Sequence, residues 1–155
     1  MSPDWPTANL DPVRRLHSLA AGVRGAHVSE RVIDAPFAQV WTALSDFEGD
    51  FRQVQPDMKT VHVTNCDGSR ISLHARSTYG MRANFVGTVR PGWCWLQSRF
   101  LIVAMAATEV GPGQTRVAFT GGVRVPGRPA LLPVGVRREA RRSLDKLEQL
   151  MASRR

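Results

Sequence analysis

The side chains that could do chemistry in this chain are a few hydroxyls, one thiol and one carboxylate. Ser77, Ser98 and Thr108, with the thiol of Cys94, fall on the inward face of a predicted sheet. They can orient a ligand by hydrogen bonds but are weak acids or bases without a partner; alternatively, each satisfies a neighbouring backbone group. Glu30 lies in the first predicted strand, and the rarity of buried glutamate favours an outward orientation. The sequence therefore identifies no catalytic residue.

The spacing of the histidines and cysteines indicates neither a metal site nor a redox motif. None of the four histidines shows the spacing of metal ligands, and Cys66 and Cys94 form no motif. We therefore expect no metal, no cofactor and two reduced thiols.

Helical elements are predicted at both ends of the chain. Asp11-Pro12 marks the start of a short amphipathic helix over residues 12–24, which Gly25 ends. A strand over 26–33 and two short helices follow. The C-terminal helix places a set of apolar residues on one face, namely Val136, Ala140, Leu144, Leu147 and Met151.

From Lys59 onward, apolar and polar residues alternate for about sixty residues, which predicts antiparallel strands. Matching apolar faces across strands predicts three-residue loops at 66–68 and 78–80, a tight turn at Pro91-Gly92 and a four-residue loop at 111–114. The last loop places Ala106 opposite Phe119. Residues 93–110 are either one long bent strand or two strands joined by a very tight corner.

The predicted fold class is α+β, with a curved six- or seven-stranded antiparallel sheet wrapped around the C-terminal helix. Many inward positions are small, so the sheet and helix are expected to leave an apolar cavity. The alternative is that bulky side chains such as Trp41, Phe47, Phe51 and Leu147 fill the space. The inward set is Val61, Val63, Ile71, Leu73, Ala75, Ser77, Met81, Ala83, Phe85, Gly87, Leu96, Ser98, Phe100, Ala104, Ala106, Thr108, Val117, Phe119 and Gly121.

The outward face is rich in arginine and tryptophan. The register places Arg76 opposite Arg82 and Arg90 opposite Trp93. If Trp93 and Trp95 are exposed, they indicate a contact surface, either a homodimer interface or a nucleic-acid platform. Alternatively, the N-terminal helix covers them.

The 155 residues predict a tail and helix over 1–25 and one ligand-binding domain over 26–155. The net charge is +8, and every basic residue except Lys59 and Lys146 is arginine. This charge indicates either an anionic partner, such as nucleic acid, or an ordinary solvated surface. Without a candidate membrane span or signal peptide, we expect a cytoplasmic protein.

From about His27 to Ser153 the chain resembles the START-like (SRPBCC) superfamily, in particular its polyketide cyclase/dehydrase branch with a helix-grip fold. The resemblance rests on Ile33-Asp34-Ala35-Pro36, Val40-Trp41, Ser45-Asp46-Phe47, Gly113-Gln114-Thr115-Arg116-Val117 and Leu144-x-x-Leu147. It implies binding of hydrophobic or polycyclic molecules between sheet and helix. Aromatase-type members have an inward arginine where Ser77 stands, and their pocket tyrosines find no match because the only tyrosine, Tyr79, falls in a turn.

The sequence thus predicts a protein that encloses a small hydrophobic molecule. One interpretation is a cyclase- or dehydratase-like biosynthetic enzyme that acts by shape; the second is a non-catalytic carrier or sensor. A third, less favoured, is a basic module that binds nucleic acid or a partner protein. The predicted ligand-binding residues are Trp41, Phe51, Leu73, Ser77, Phe85, Ser98, Phe100, Thr108 and Phe119.

Overall fold

The computed structural model describes residues 11–23, 26–55, 57–78, 80–124, 131–132 and 136–154. The predicted N-terminal tail, Gly25, Tyr79 and the side chain of Val136 lie outside the described part. The elements in chain order are α1 (Pro12–Ala21), β1 (Ser29–Ile33), α2 (Phe37–Ser45), α3 (Asp50–Val54), β2 (Met58–Asp67), β3 (Arg70–Ser77), β4 (Arg82–Arg90), β5 (Trp93–Gln97), β6 (Leu101–Gly111), β7 (Gln114–Arg124), β8 (Leu131–Leu132) and α4 (Val136–Ser153).

The strands form one antiparallel sheet in the order β1-β7-β6-β5-β4-β3-β2, and the two-residue β8 pairs with β7. The long helix α4 packs against β7, β1 and α3 on the concave side. This arrangement confirms the predicted α+β helix-grip class, the two short helices after the first strand and the additional N-terminal helix.

Helix α1 begins where the sequence predicts. The Asp11 side chain accepts a hydrogen bond from the Arg14 backbone N–H at 3.0 Å, and proline occupies the first helical turn. The helix ends at Ala21, a few residues earlier than predicted, because the Gly22 N–H already turns back to the carbonyl groups of the last turn.

Two of the predicted hairpins have the predicted register. Leu73 pairs with Phe85 and Ala75 with Ala83 between β3 and β4, while Val89 pairs with Cys94 between β4 and β5. The predicted Arg76–Arg82 and Arg90–Trp93 pairs also form. Gly80 and Gly92 have φ angles of +82° and +79°, the left-handed conformation that these turns require.

The other two predicted loops are wrong in length. Asp67 pairs with Arg70 across a two-residue turn, and a β-bulge between Val63 and Asn65 restores the inward parity of β2. Gly111 likewise pairs with Gln114 across a two-residue turn, with a register shift between Glu109 and Gly111. Matching apolar faces by the choice of loop length alone cannot predict a β-bulge within a strand.

A two-residue corner separates β5 from β6, which settles the alternative that the sequence left open. The Ser98 N–H donates to the Leu101 carbonyl at 2.8 Å, and the Leu101 N–H donates to Ser98 Oγ at 3.0 Å. Leu96 therefore pairs with Val103, so Val103 points inward.

This corner reverses the predicted faces of β6. Ala104, Ala106 and Thr108 were predicted to point inward, and they point outward instead. Ala106 pairs with Ala118 rather than with Phe119, and Thr108 pairs with Arg116 rather than with Val117. The inward side chains of β6 are consequently Val103, Met105 and Ala107.

Helices pack on both sides of the sheet. On the concave side it packs against α2, α3 and α4, where Phe51, Phe85, Leu144 and Leu147 are almost completely buried. On the outer side α1 packs against β6 and β7. The outer cluster consists of Val13, Leu16, Trp93, Ala104, Ala106 and Ala118.

Two glycines lie where adjacent backbones approach closely. A Cβ atom at Gly87 would stand 1.8 Å from the Trp95 carbonyl oxygen, and one at Gly121 would stand 2.7 Å from the Ile102 carbonyl oxygen. Since no real side chain tolerates such distances, glycine at both positions allows the strands to bend around the concave side.

Candidate functional site

The candidate site is the centre of the concave face. One cross-strand row runs through Ile71, Gly87, Leu96, Val103 and Gly121. Ile71 and Leu96 are buried, whereas Gly87, Val103 and Gly121 are only partly buried although they belong to inner strands. An inward valine on a central strand is normally fully packed. Its partial exposure leaves apolar surface accessible over this row.

Further apolar side chains on the same face share this partial exposure. They contact the main core and yet stay accessible, which is expected of residues that border an open space rather than fill a core. They are Trp41, Val63, Ala83, Val89 and Leu101.

Five of the predicted ligand-binding residues lie together in the main core. Phe51, Leu73, Phe85 and Phe119 are almost completely buried, and Trp41 on α2 is partly buried against them. These five residues therefore belong to the core on the concave side. Phe47, Phe51 and Leu147, which the alternative prediction named, are also buried in this core.

The remaining four predicted residues are not placed as lining groups. Ser77 Oγ accepts the Met81 N–H at 3.0 Å, and Ser98 Oγ accepts the Leu101 N–H, so both hydroxyls serve turns at strand ends. Phe100 lies in the β5–β6 corner with 49% of its surface exposed. Thr108 lies on the outer face because the corner shifts the parity of β6.

Sequence reasoning left Val103 and Leu101 out of the inward set, although both pack against the main core. The inward set followed the continuous-strand alternative and not the corner between β5 and β6. A signal was present, since serine favours the first position of a turn by accepting a backbone N–H with its hydroxyl. Ser98 does this.

Cys94 lies on the concave face between Val89 and Met105 in register. It is completely buried, and burial raises the pKa of its thiol to about 12. A neutral thiol in such surroundings behaves as a small apolar group and not as a nucleophile. Cys94 therefore contributes packing to the site.

Charged groups stand at the margins of the concave face. Arg31 on β1 donates to Asp145 at 2.6 Å and to Glu148 at 3.0 Å, and these bonds raise the pKa of its guanidinium group. Glu30, one residue earlier, points outward as expected, with Glu30 Oε2 2.9 Å from His17 Nε2. Within the described part of the chain, no three potential ligands group into a metal site.

Of the two outer tryptophans, Trp93 is buried and Trp95 is partly buried, which corrects the interpretation that both are exposed. Trp93 is only 6% exposed beneath α1, and Trp95 stacks on it with ring centroids 6.4 Å apart. Arg15 of α1, rather than Arg90, is the cation found over the Trp93 ring, at 5.0 Å. Helix α1 thus occupies the surface that could otherwise serve as a partner platform.

Comparisons with known proteins identify the fold. No family model matches the chain, and no curated protein matches it. Among solved structures, the Zhui aromatase/cyclase from Streptomyces sp. R1128 is similar with a TM-score of 0.63 at 14% identity, covering 83% of this chain and 94% of that one. A START superfamily protein from Mycobacterium smegmatis gives a TM-score of 0.58 at 17% identity, covering 84% and 99%. The chain therefore has the START-like helix-grip fold.

A third solved structure, TTHA0849 from Thermus thermophilus, has a TM-score of 0.58 at 17% identity and covers 83% of this chain and 97% of that one. At these identities the similarity shows the fold alone. In the described segments of the chain, no helix has the length and apolar character needed to cross a bilayer.

Proposed function

We propose that the protein encloses a small hydrophobic or polycyclic molecule in an apolar hollow over Val103 on its concave face. The observation that carries the proposal is the partial exposure of Val103, an inward residue on a central strand bordered by apolar neighbours. The START-like fold supports it, because one similar structure is an aromatase/cyclase. Apolar surface left accessible inside a fold is stabilised by an apolar ligand.

Carriage or sensing is the form of this function that the hydroxyl positions favour. Ser77 and Ser98 accept backbone N–H groups in turns, and Thr108 faces away from the hollow. The polar atoms predicted to orient a substrate are therefore engaged elsewhere. A cyclase- or dehydratase-like reaction in this site would depend on shape and positioning, which do not require an acid–base pair.

The test is to fill the hollow without changing the rest of the protein. Val103→Phe places an aromatic ring on the concave face, whereas Val86→Phe makes the same change on the outer face, where Val86 is 55% exposed. Binding of the neutral apolar dye Nile red, followed by fluorescence, should weaken at least tenfold in the Val103 variant only. Native mass spectrometry should show a small molecule that co-purifies with the parent and the Val86 variant.

Two results would contradict the proposal. Equal dye affinity in the parent and a folded Val103→Phe variant would show that the ligand binds elsewhere. Because overpacking can unfold a protein, Val103→Ala provides a second measurement: it enlarges the hollow and should keep or strengthen dye binding. Loss of binding in the alanine variant with an unchanged circular dichroism spectrum would equally refute the proposal.

A further inference from the structure

The only two lysines of the chain line the same cleft. This open cleft has a volume of about 470 Å³ and lies between α3, the start of β2 and α4. All other basic residues are arginine, and Lys59 and Lys146 come together here from distant parts of the sequence. The lining residues are Gly49, Asp50, Arg52, Gln53, Met58, Lys59 and Lys146.

The cleft carries an excess of positive charge. Arg52 joins the two lysines in the lining and donates from Nη1 to the Lys59 carbonyl at 3.1 Å. The one carboxylate in the lining, Asp50, is already bound by both terminal nitrogens of Arg154, each at 2.7 Å. In the described ranges, neither lysine has a carboxylate within ion-pair distance.

We propose that this cleft binds a phosphate monoester. Lysine ammonium groups act as mobile point charges with three donors each, and a phosphoryl group carries about −1.5 to −2 charges and three acceptor oxygens. One such group offsets about half to two-thirds of the three positive charges that Lys59, Lys146 and Arg52 bring to the cleft. A monocarboxylate would leave most of that charge in place.

The size and the floor of the cleft indicate an organic portion beside the phosphoryl group. The volume exceeds what one inorganic phosphate fills, and Met58 offers an apolar surface, since it also contacts the main core. The site is separate from the hollow around Val103, so this inference does not depend on the proposed function.

The experiment is an amide NMR titration with phenyl phosphate and inorganic phosphate at constant ionic strength, using chloride to balance. Gly49 and Gln53, which line the cleft, serve as reporters. We expect saturable shifts for both probes, tighter binding of phenyl phosphate, and at least tenfold weaker binding in Lys59→Gln/Lys146→Gln.

Arg76→Gln/Arg82→Gln is the matched control, because it removes the same charge from the outer face of β3 and β4. It should bind both probes like the parent. The proposal is overturned if the shifts do not saturate, if chloride alone reproduces them, or if the control loses as much affinity as the lysine variant. Each lysine is exposed, so the variants should fold. The proposal is also overturned if the variants with a single lysine replaced bind both probes with the affinity of the parent.

Discussion

Replacing Leu16 by alanine tests whether α1 is part of the folded domain or a loosely attached helix. Leu16 is completely buried against the outer face of the sheet, over Ala104, Ala106 and Ala118. Leu→Ala at buried sites costs about 2–5 kcal/mol, and the larger costs arise where the surroundings cannot relax. Alanines on a rigid sheet have no long side chains that could fill the gap.

We therefore expect a loss of about 3 kcal/mol, which corresponds to a fall in Tm of roughly 6–12 °C for a chain of this length. The assay is thermal unfolding by circular dichroism, with tryptophan emission recorded in parallel. Because α1 covers Trp93, partial undocking should move the emission to longer wavelength before the sheet unfolds.

Leu19→Ala is the matched control, since Leu19 lies on the same helix with 45% of its surface exposed. This change should alter stability by less than about 0.5 kcal/mol. Equal Tm values for the two variants, or a Tm for Leu16→Ala within about 1 °C of the parent, would refute the assigned docking of α1.

Two further predictions concern ionisable groups. Iodoacetamide at pH 8 should alkylate one thiol in the native protein, the exposed Cys66, and two in denaturant, because burial raises the pKa of Cys94 to about 12; two fast native reactions would contradict this. The hydrogen bonds from Arg154 lower the pKa of the Asp50 carboxyl group in the folded state. The pair therefore stabilises the protein at pH values above the pKa that Asp50 has in the unfolded chain. This stabilisation is lost as the pH falls through the lower pKa of the folded state. Asp50→Asn should therefore flatten the decline of stability below about pH 4 in urea titrations, and an unchanged decline would contradict the Asp50–Arg154 pairing.

The order of elements could be predicted from the sequence because each rests on a local signal. Asp11-Pro12 begins α1 by capping, and left-handed glycines at positions 80 and 92 mark two hairpins. The apolar stripe of α4 follows helical spacing, with Ala140, Leu144 and Leu147 buried. Such signals act within a few residues and therefore survive without knowledge of the tertiary structure.

The faces of β6 could not be predicted because they depend on the count of residues in a single corner. A turn of two residues at Arg99-Phe100 reverses every side chain that follows, so Ala104 and Val103 exchange sides. The sequence of β6 does not distinguish its two faces, because both are apolar. Helix α1 covers one face and the main core covers the other. Burial on both sides removes the alternation that would have fixed the register.

For the same reason, only some of the predicted ligand-binding residues lie on the face that the sequence predicted. Leu73 and Phe85 belong to the hairpin whose register was correct, and both line the concave side. Thr108 depends on β6 and was placed on the wrong face. Ser98 was predicted to bind the ligand, although its hydroxyl accepts the Leu101 N–H in the corner between β5 and β6.

The register shifts of β2 have a consequence for self-association. This strand is an edge strand of the sheet. Its pairing with β3 shifts register between Met58 and Thr60 and again between Val63 and Asn65. A second molecule that approached this edge would meet no continuous ladder of free N–H and C=O groups. At this edge of the sheet, the bulges therefore disfavour strand-to-strand pairing with a second molecule.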